Sequence, residues 1–96
     1  MKLSDQAITA ELAALPGWTL DGSAIRKAFR FRSFPDAIAF VTRVGFDAEA
    51  ADHHPDIHIS YRSATLVFST HSAGGLTAKD FEGARQADAV AARIGT

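Results

Sequence analysis

Pro55 divides this chain into two periodicities and constrains the fold more than any other residue. Upstream, Phe34, Ala37, Ile38, Val41, Val44, Gly45 and Ala48 recur at the spacing of one helix face. Downstream, Ile57, Ile59 and Tyr61 alternate with Asp56, His58 and Ser60 as in a half-buried strand, with Arg62-Ser63 turning the chain. A residue before proline is pushed out of helical dihedrals, so the helix is expected to end near His53, with His54 already extended. Its start is equally marked. Ser33 is placed to cap, Asp36 to close a capping box, and Pro35 sits in the first turn, where its missing N–H does no harm.

The same signals organise the rest of the chain. Ser4 can cap a first helix carrying Ile8, Leu12 and Leu15, with Leu3 and Ile8 placed as a hydrophobic staple and Pro16-Gly17 as the stop. Trp18 to Leu20 reads as a short strand and Asp21-Gly22-Ser23 as a turn. A second strand follows from about Ala24 to Arg32, with Ile25, Phe29 and Phe31 on one face and Arg26, Arg30 and Arg32 on the other. Ala64 to Thr70 partners the strand after Pro55. Thr77-x-x-Asp80 then opens a last helix that turns Phe81, Ala84, Ala87, Val90, Ala91 and Ile94 inward. The expected order is α-β-β-α-β-β-α. This is an α+β fold in which a four-stranded antiparallel sheet carries three helices on one face.

Ninety-six residues without a composition break make one domain, which buries only about 60–70% of its unfolded surface unless subunits share apolar area. A net charge of −1, with basic residues grouped only around Arg26-Lys27 and Arg30-Arg32, is no footprint for nucleic acid. The absence of cysteine removes disulfides and thiolate metal sites. Met1 to Asp5 lacks the apolar core of a signal peptide and no stretch approaches membrane-spanning length, so a cytoplasmic protein is expected.

Chemistry gathers in the middle third. Glu49, His53, His54 and Pro55 form the run E-A-A-D-H-H-P; His71 follows a β-like stretch, ahead of Gly74-Gly75-Leu76-Thr77 and Asp80. Histidine is the side chain that changes charge near neutrality, which suits it to proton transfer. Glu49 and His53 lie four apart and could touch on one helix face, while His54 must point elsewhere. If the hairpins pair, His71 can be brought near both. Spacing alone leaves a second reading open, in which His53-His54-Pro55 only terminates a helix, Asp80 only completes the Thr77 capping box, and His58 is a surface residue. Zinc is a further alternative, since three histidines with Glu49 and Asp52 offer enough ligands. However, adjacent histidines across a helix break rarely aim at one ion, and no H-E-x-x-H pair is present, so proton transfer without a metal is the favoured chemistry.

At these residues the chain resembles the pterin-4a-carbinolamine dehydratase family, also described in animals as a dimerisation cofactor of a homeodomain transcription factor. The resemblance starts at Leu15-Pro16-Gly17-Trp18 and runs through Phe29-x-Phe31-x-x-Phe34 and Ala37-Ile38-x-Phe40-Val41. It is sharpest from Glu49-x-x-x-His53-His54-Pro55-Asp56-Ile57 through Ser69-Thr70-His71 to Gly74-Gly75-Leu76-Thr77-x-x-Asp80. It implies the same sheet-and-helix architecture, assembled as homodimers or homotetramers through sheet and helix contacts. The implied reaction is loss of water from 4a-hydroxytetrahydropterin to give quinonoid dihydropterin. His53 and His71 would donate and accept protons near the C4a hydroxyl, with Glu49 assisting at N5. His54 would orient the ring, Asp80 would support His71 or the pterin, and Pro55 would belong to the substrate-binding set. The pterin is substrate, and neither a metal nor another cofactor is implied. Arg62-Ser63-Ala64 and His58 depart from the usual family residues without touching that set. A non-catalytic interaction module on the same fold is the alternative function; it would be expected to lose part of the histidine set, and this chain has all of it.

Overall fold

The computed structural model describes residues 1–96. Its elements run α1 (Asp5–Ala13), β1 (Thr19–Asp21), β2 (Ala24–Arg30), α2 (Phe34–Ala51), β3 (Asp56–Ser60), β4 (Ser63–Phe68), a short 3-10 turn (His71–Ala73) and α3 (Ala78–Ile94). That is the expected α-β-β-α-β-β-α order. The strands form one antiparallel sheet in the order β1-β2-β4-β3, so the two hairpins meet through their inner strands, β2 and β4.

Register explains which side is covered. Ile25 pairs with Phe68, Lys27 with Leu66 and Phe29 with Ala64, and this row of alternate residues faces the helices. Apart from Lys27, all of them are buried, and they share one core with Ile8 of α1, Phe40 and Val44 of α2, and Phe81 and Ala84 of α3. Phe40 lies between Phe29 and Phe31, with ring centroids 4.7 and 4.9 Å away. Lys27 escapes the apolar row by reaching sideways. Its ammonium binds Asp88 of α3 at 2.9 Å and the Pro16 carbonyl at 3.2 Å, while Trp18 donates its indole N–H to the same carboxylate.

Four local expectations are revised. On α2 the inward residues are Ala37, Phe40, Val44 and Ala48, whereas Phe34 and Ile38 remain 46% and 40% exposed. The apolar stripe is wider than the core it meets, and its flank is left outside. Ser33 accepts the Asp36 N–H at 3.2 Å, but only that half of the capping box forms. Tyr61 belongs to the turn rather than to β3: Ser60 pairs with Ser63, leaving Tyr61-Arg62 as a two-residue loop with Tyr61 at φ 53°. The second strand stops at Arg30, although the Phe31 N–H still bonds the Arg62 carbonyl at 2.8 Å.

Candidate functional site

The helix before Pro55 ends at Ala51, close to His53 as expected, and the form of its exit sets how the two histidines pair. Asp52 adopts the left-handed conformation at φ 51°, its N–H bonding Glu49 and that of His53 reaching back to Ala48 at 3.0 Å. Those two bonds make a Schellman termination with aspartate, one of the few residues besides glycine that tolerates this geometry. His53 therefore leaves the helical spiral. Glu49 and His53 do not meet as their four-residue spacing suggested; Glu49 instead accepts a hydrogen bond from His54 Nε2 at 2.8 Å.

His53 turns inward to a different carboxylate. Its Nε2 lies 2.6 Å from Asp80 Oδ1, with the histidine side chain 13% exposed and the aspartate fully buried. The short separation is that of a charge-assisted hydrogen bond. Asp80 sits in the first turn of α3, where Thr77 and Asp80 cap one another reciprocally, and its Oδ2 accepts the Thr77 N–H at 2.9 Å. One residue thus both caps the helix and holds His53. Oδ2 also accepts the Thr70 hydroxyl at 2.7 Å. Every buried polar side-chain atom in the chain has a partner.

His71 opens the 3-10 turn after β4 and is exposed, with Gly74 in the left-handed conformation behind it. It makes no side-chain hydrogen bond of its own; its tie to the buried pair runs through its neighbour Thr70, which also forms an isolated β-bridge with Gly75. Asp80 was expected beside His71 or the pterin, and its side chain holds His53. Pro55 is half-buried where β3 begins, and His58 is exposed. No three histidine, aspartate or glutamate side chains are grouped so that they could hold a metal ion. A cavity of about 230 Å³ opens between α2 and α3 against His53, floored by Val44, Ala48, Phe68 and Ala87, with Lys79 and Glu82 also lining it. Sequence reasoning missed Thr70, although its place between Ser69 and His71, within reach of a capping aspartate, was the available signal.

This small α+β domain holds two histidines on carboxylates between the exit of one helix and the entry of another, and histidine is the side chain that gains and loses a proton near neutrality. Its sequence matches the family described as pterin 4 alpha carbinolamine dehydratase over residues 1–90, and the chain belongs to that family. It is 56% identical over 89 residues to a protein of Roseiflexus sp. strain RS-1, covering 93% of this chain and 96% of the relative. A protein of Nocardia farcinica is 52% identical, over 93% and 94% of the two chains. Both carry the provisional name pterin-4-alpha-carbinolamine dehydratase. Among solved structures, a transcriptional coactivator/pterin dehydratase of Brucella melitensis superposes with a TM-score of 0.91 at 34% identity, covering 95% of this chain and 99% of that one. A pterin dehydratase-like protein identified as a RuBisCO assembly factor in the alpha-carboxysome shares the fold at a TM-score of 0.64 and 20% identity, over 77% and 86% of the two chains. Family membership places the chain among dehydratases, which are lyases. No helix is long and apolar enough to cross a membrane.

Proposed function

We propose that this chain removes water from 4a-hydroxytetrahydropterin by histidine acid–base catalysis, yielding quinonoid dihydropterin for reduction back to tetrahydropterin. The observation that carries this reading is the buried His53–Asp80 pair at 2.6 Å, in a chain whose family match spans residues 1–90. Hydroxide leaves poorly, so an acid must protonate the C4a oxygen as the N5 lone pair forms the N5=C4a bond and the C–O bond breaks. A base then takes the N5 proton, and the products are water and the quinonoid ring. His53 and His71 are assigned the proton transfers, Glu49 assists at N5, and His54 with Pro55 seats the heterocycle. Each positioned acid or base contributes about 10²–10⁴-fold.

The test is stopped-flow dehydration of chemically generated carbinolamine. His53→Ala and His71→Ala should each lower turnover by at least about 10²-fold while far-UV circular dichroism is unchanged. Wild-type rates in both variants would refute the reading.

The chain is further proposed to work in the cytoplasm as a homodimer or homotetramer. Phe34, Ile38 and Phe46 of α2 and Ile57 of the edge strand β3 are apolar side chains that remain 40–70% exposed, which supports assembly. A non-catalytic interaction role is the second reading, favoured by the assembly factor that shares this fold at 20% identity. Co-purification of a stoichiometric partner, together with no dehydratase activity, would select it.

A further inference from the structure

We propose that Asp80, oriented by Thr70 and Thr77, fixes His53 with its proton on Nε2 and leaves Nδ1 as the nitrogen that serves the substrate. Thr70 and Asp80 are thereby positioning residues. The inference deepens the dehydratase reading and rests on it for what Nδ1 acts upon; the proton's location stands on geometry.

A threonine hydroxyl has one proton to give. Thr70 lies 2.7 Å from Asp80 Oδ2 and 2.9 Å from the Thr77 hydroxyl, and a carboxylate oxygen can only accept. Thr70 therefore donates to Asp80, and Thr77 donates to Thr70. The Thr77 N–H at 2.9 Å adds a second donor to Oδ2. The carboxylate is fully buried, so water cannot reorder this arrangement. Oδ1 is left facing His53 Nε2 at 2.6 Å, and that nitrogen must carry the hydrogen. Nδ1 has no hydrogen-bond partner in the protein and is not sealed from solvent, and the cavity that His53 lines lets a small molecule approach the ring. The neighbouring pair is an internal reference. His54 and Glu49 are also joined through Nε2, but their side chains are 56% and 81% exposed, where water competes for the same positions.

The nitrogen shifts of the histidine rings, read by long-range proton–nitrogen correlation on the alkaline side of histidine titration, report the tautomer directly. Wild-type His53 should be the Nε2–H form. In Asp80→Asn the same two donors hold the amide oxygen, so its NH₂ faces Nε2 and the ring should switch to Nδ1–H. The switch should lower kcat by about 10²–10⁴-fold with little change in KM. Thr70→Val should lower kcat about tenfold, and Thr70→Ser should recover most of that loss. A wild-type Nδ1–H ring, or an Asp80→Asn variant that stays Nε2–H, overturns the proposal. If Asp80→Asn fails to fold, the wild-type tautomer and the Thr70 pair of variants decide it. The expected tautomers in a protein that does not turn over carbinolamine would uphold the proton assignment and sink the dehydratase reading.

Discussion

Two helical glycines differ sharply in the space beside them, and this makes a quantitative test of the packing under the candidate site. A Cβ built on Gly83 of α3 would stand 2.6 Å from Cε1 and 2.7 Å from Cζ of Phe68, whereas one on Gly45 of α2 would meet nothing within 4 Å. Replacing either glycine by alanine gains about 1 kcal/mol of helix propensity. At Gly83 the methyl also displaces a core ring, a kind of overpacking that costs about 1–3 kcal/mol. Phe68 is 3% exposed and has few directions in which to retreat. Trp18 lies 6.0 Å away on one side and His53, parallel to within 13°, 6.1 Å away on another. Gly83→Ala is therefore expected to be neutral to about 2 kcal/mol destabilising, and Gly45→Ala to be stabilising by up to about 1 kcal/mol. For a domain of this size each kcal/mol moves the melting midpoint by about 4–8 °C, so the two midpoints should separate by at least about 4 °C. Thermal unfolding followed by circular dichroism reads this difference, in which the propensity contribution cancels. A double-mutant cycle adding Phe68→Leu should reduce the Gly83→Ala penalty, because the ring that the methyl strikes is gone. Equal upward shifts for both alanines would show that α3 does not approach β4 as closely as described.

Three further outcomes follow from named contacts. Phe40→Ala removes a fully buried ring and should cost about 3–5 kcal/mol, a large part of the about 5–15 kcal/mol available, read as a lowered urea midpoint. Asp88→Ala leaves the Lys27 ammonium and the Trp18 indole N–H without their shared acceptor, and should cost about 1–3 kcal/mol. Because Trp18 is the only tryptophan, its fluorescence should change in the folded state of that variant. Tyr61→Asn should raise stability by up to about 1 kcal/mol, since Tyr61 is 72% exposed and holds φ 53°, which asparagine adopts more readily; an unchanged or lowered melting midpoint counts against the turn assignment.

The architecture was legible because each element carries a local signal. Ser33 and Pro35 start α2, Pro55 separates it from β3, and the alternation around Ile25, Phe29, Leu66 and Phe68 points one sheet face inward. Lys27 shows where such reasoning weakens. Its position on the apolar face is a matter of register, but its partner Asp88 lies 61 residues away and no periodicity specifies it.

The site divides along the same line. Its candidate histidines and Asp80, though not Thr70, could be named from the sequence, because histidines beside a forced helix exit and a capping Thr-x-x-Asp are visible patterns. Their pairing could not, because it depends on one backbone angle. An α2 that continued helically to His53 would stack that ring over Glu49 on the solvent face and leave the buried Asp80 with no partner on Oδ1. Asp52 at φ 51° ends the helix instead, giving His54 to the exposed Glu49 and His53 to the buried Asp80. The exit geometry thus decides which histidine is held rigidly enough to place a proton and which stays in contact with water. A substitution at Asp52 that disfavours the left-handed conformation should turn the adjacent His53 away from Asp80 before it unfolds the domain.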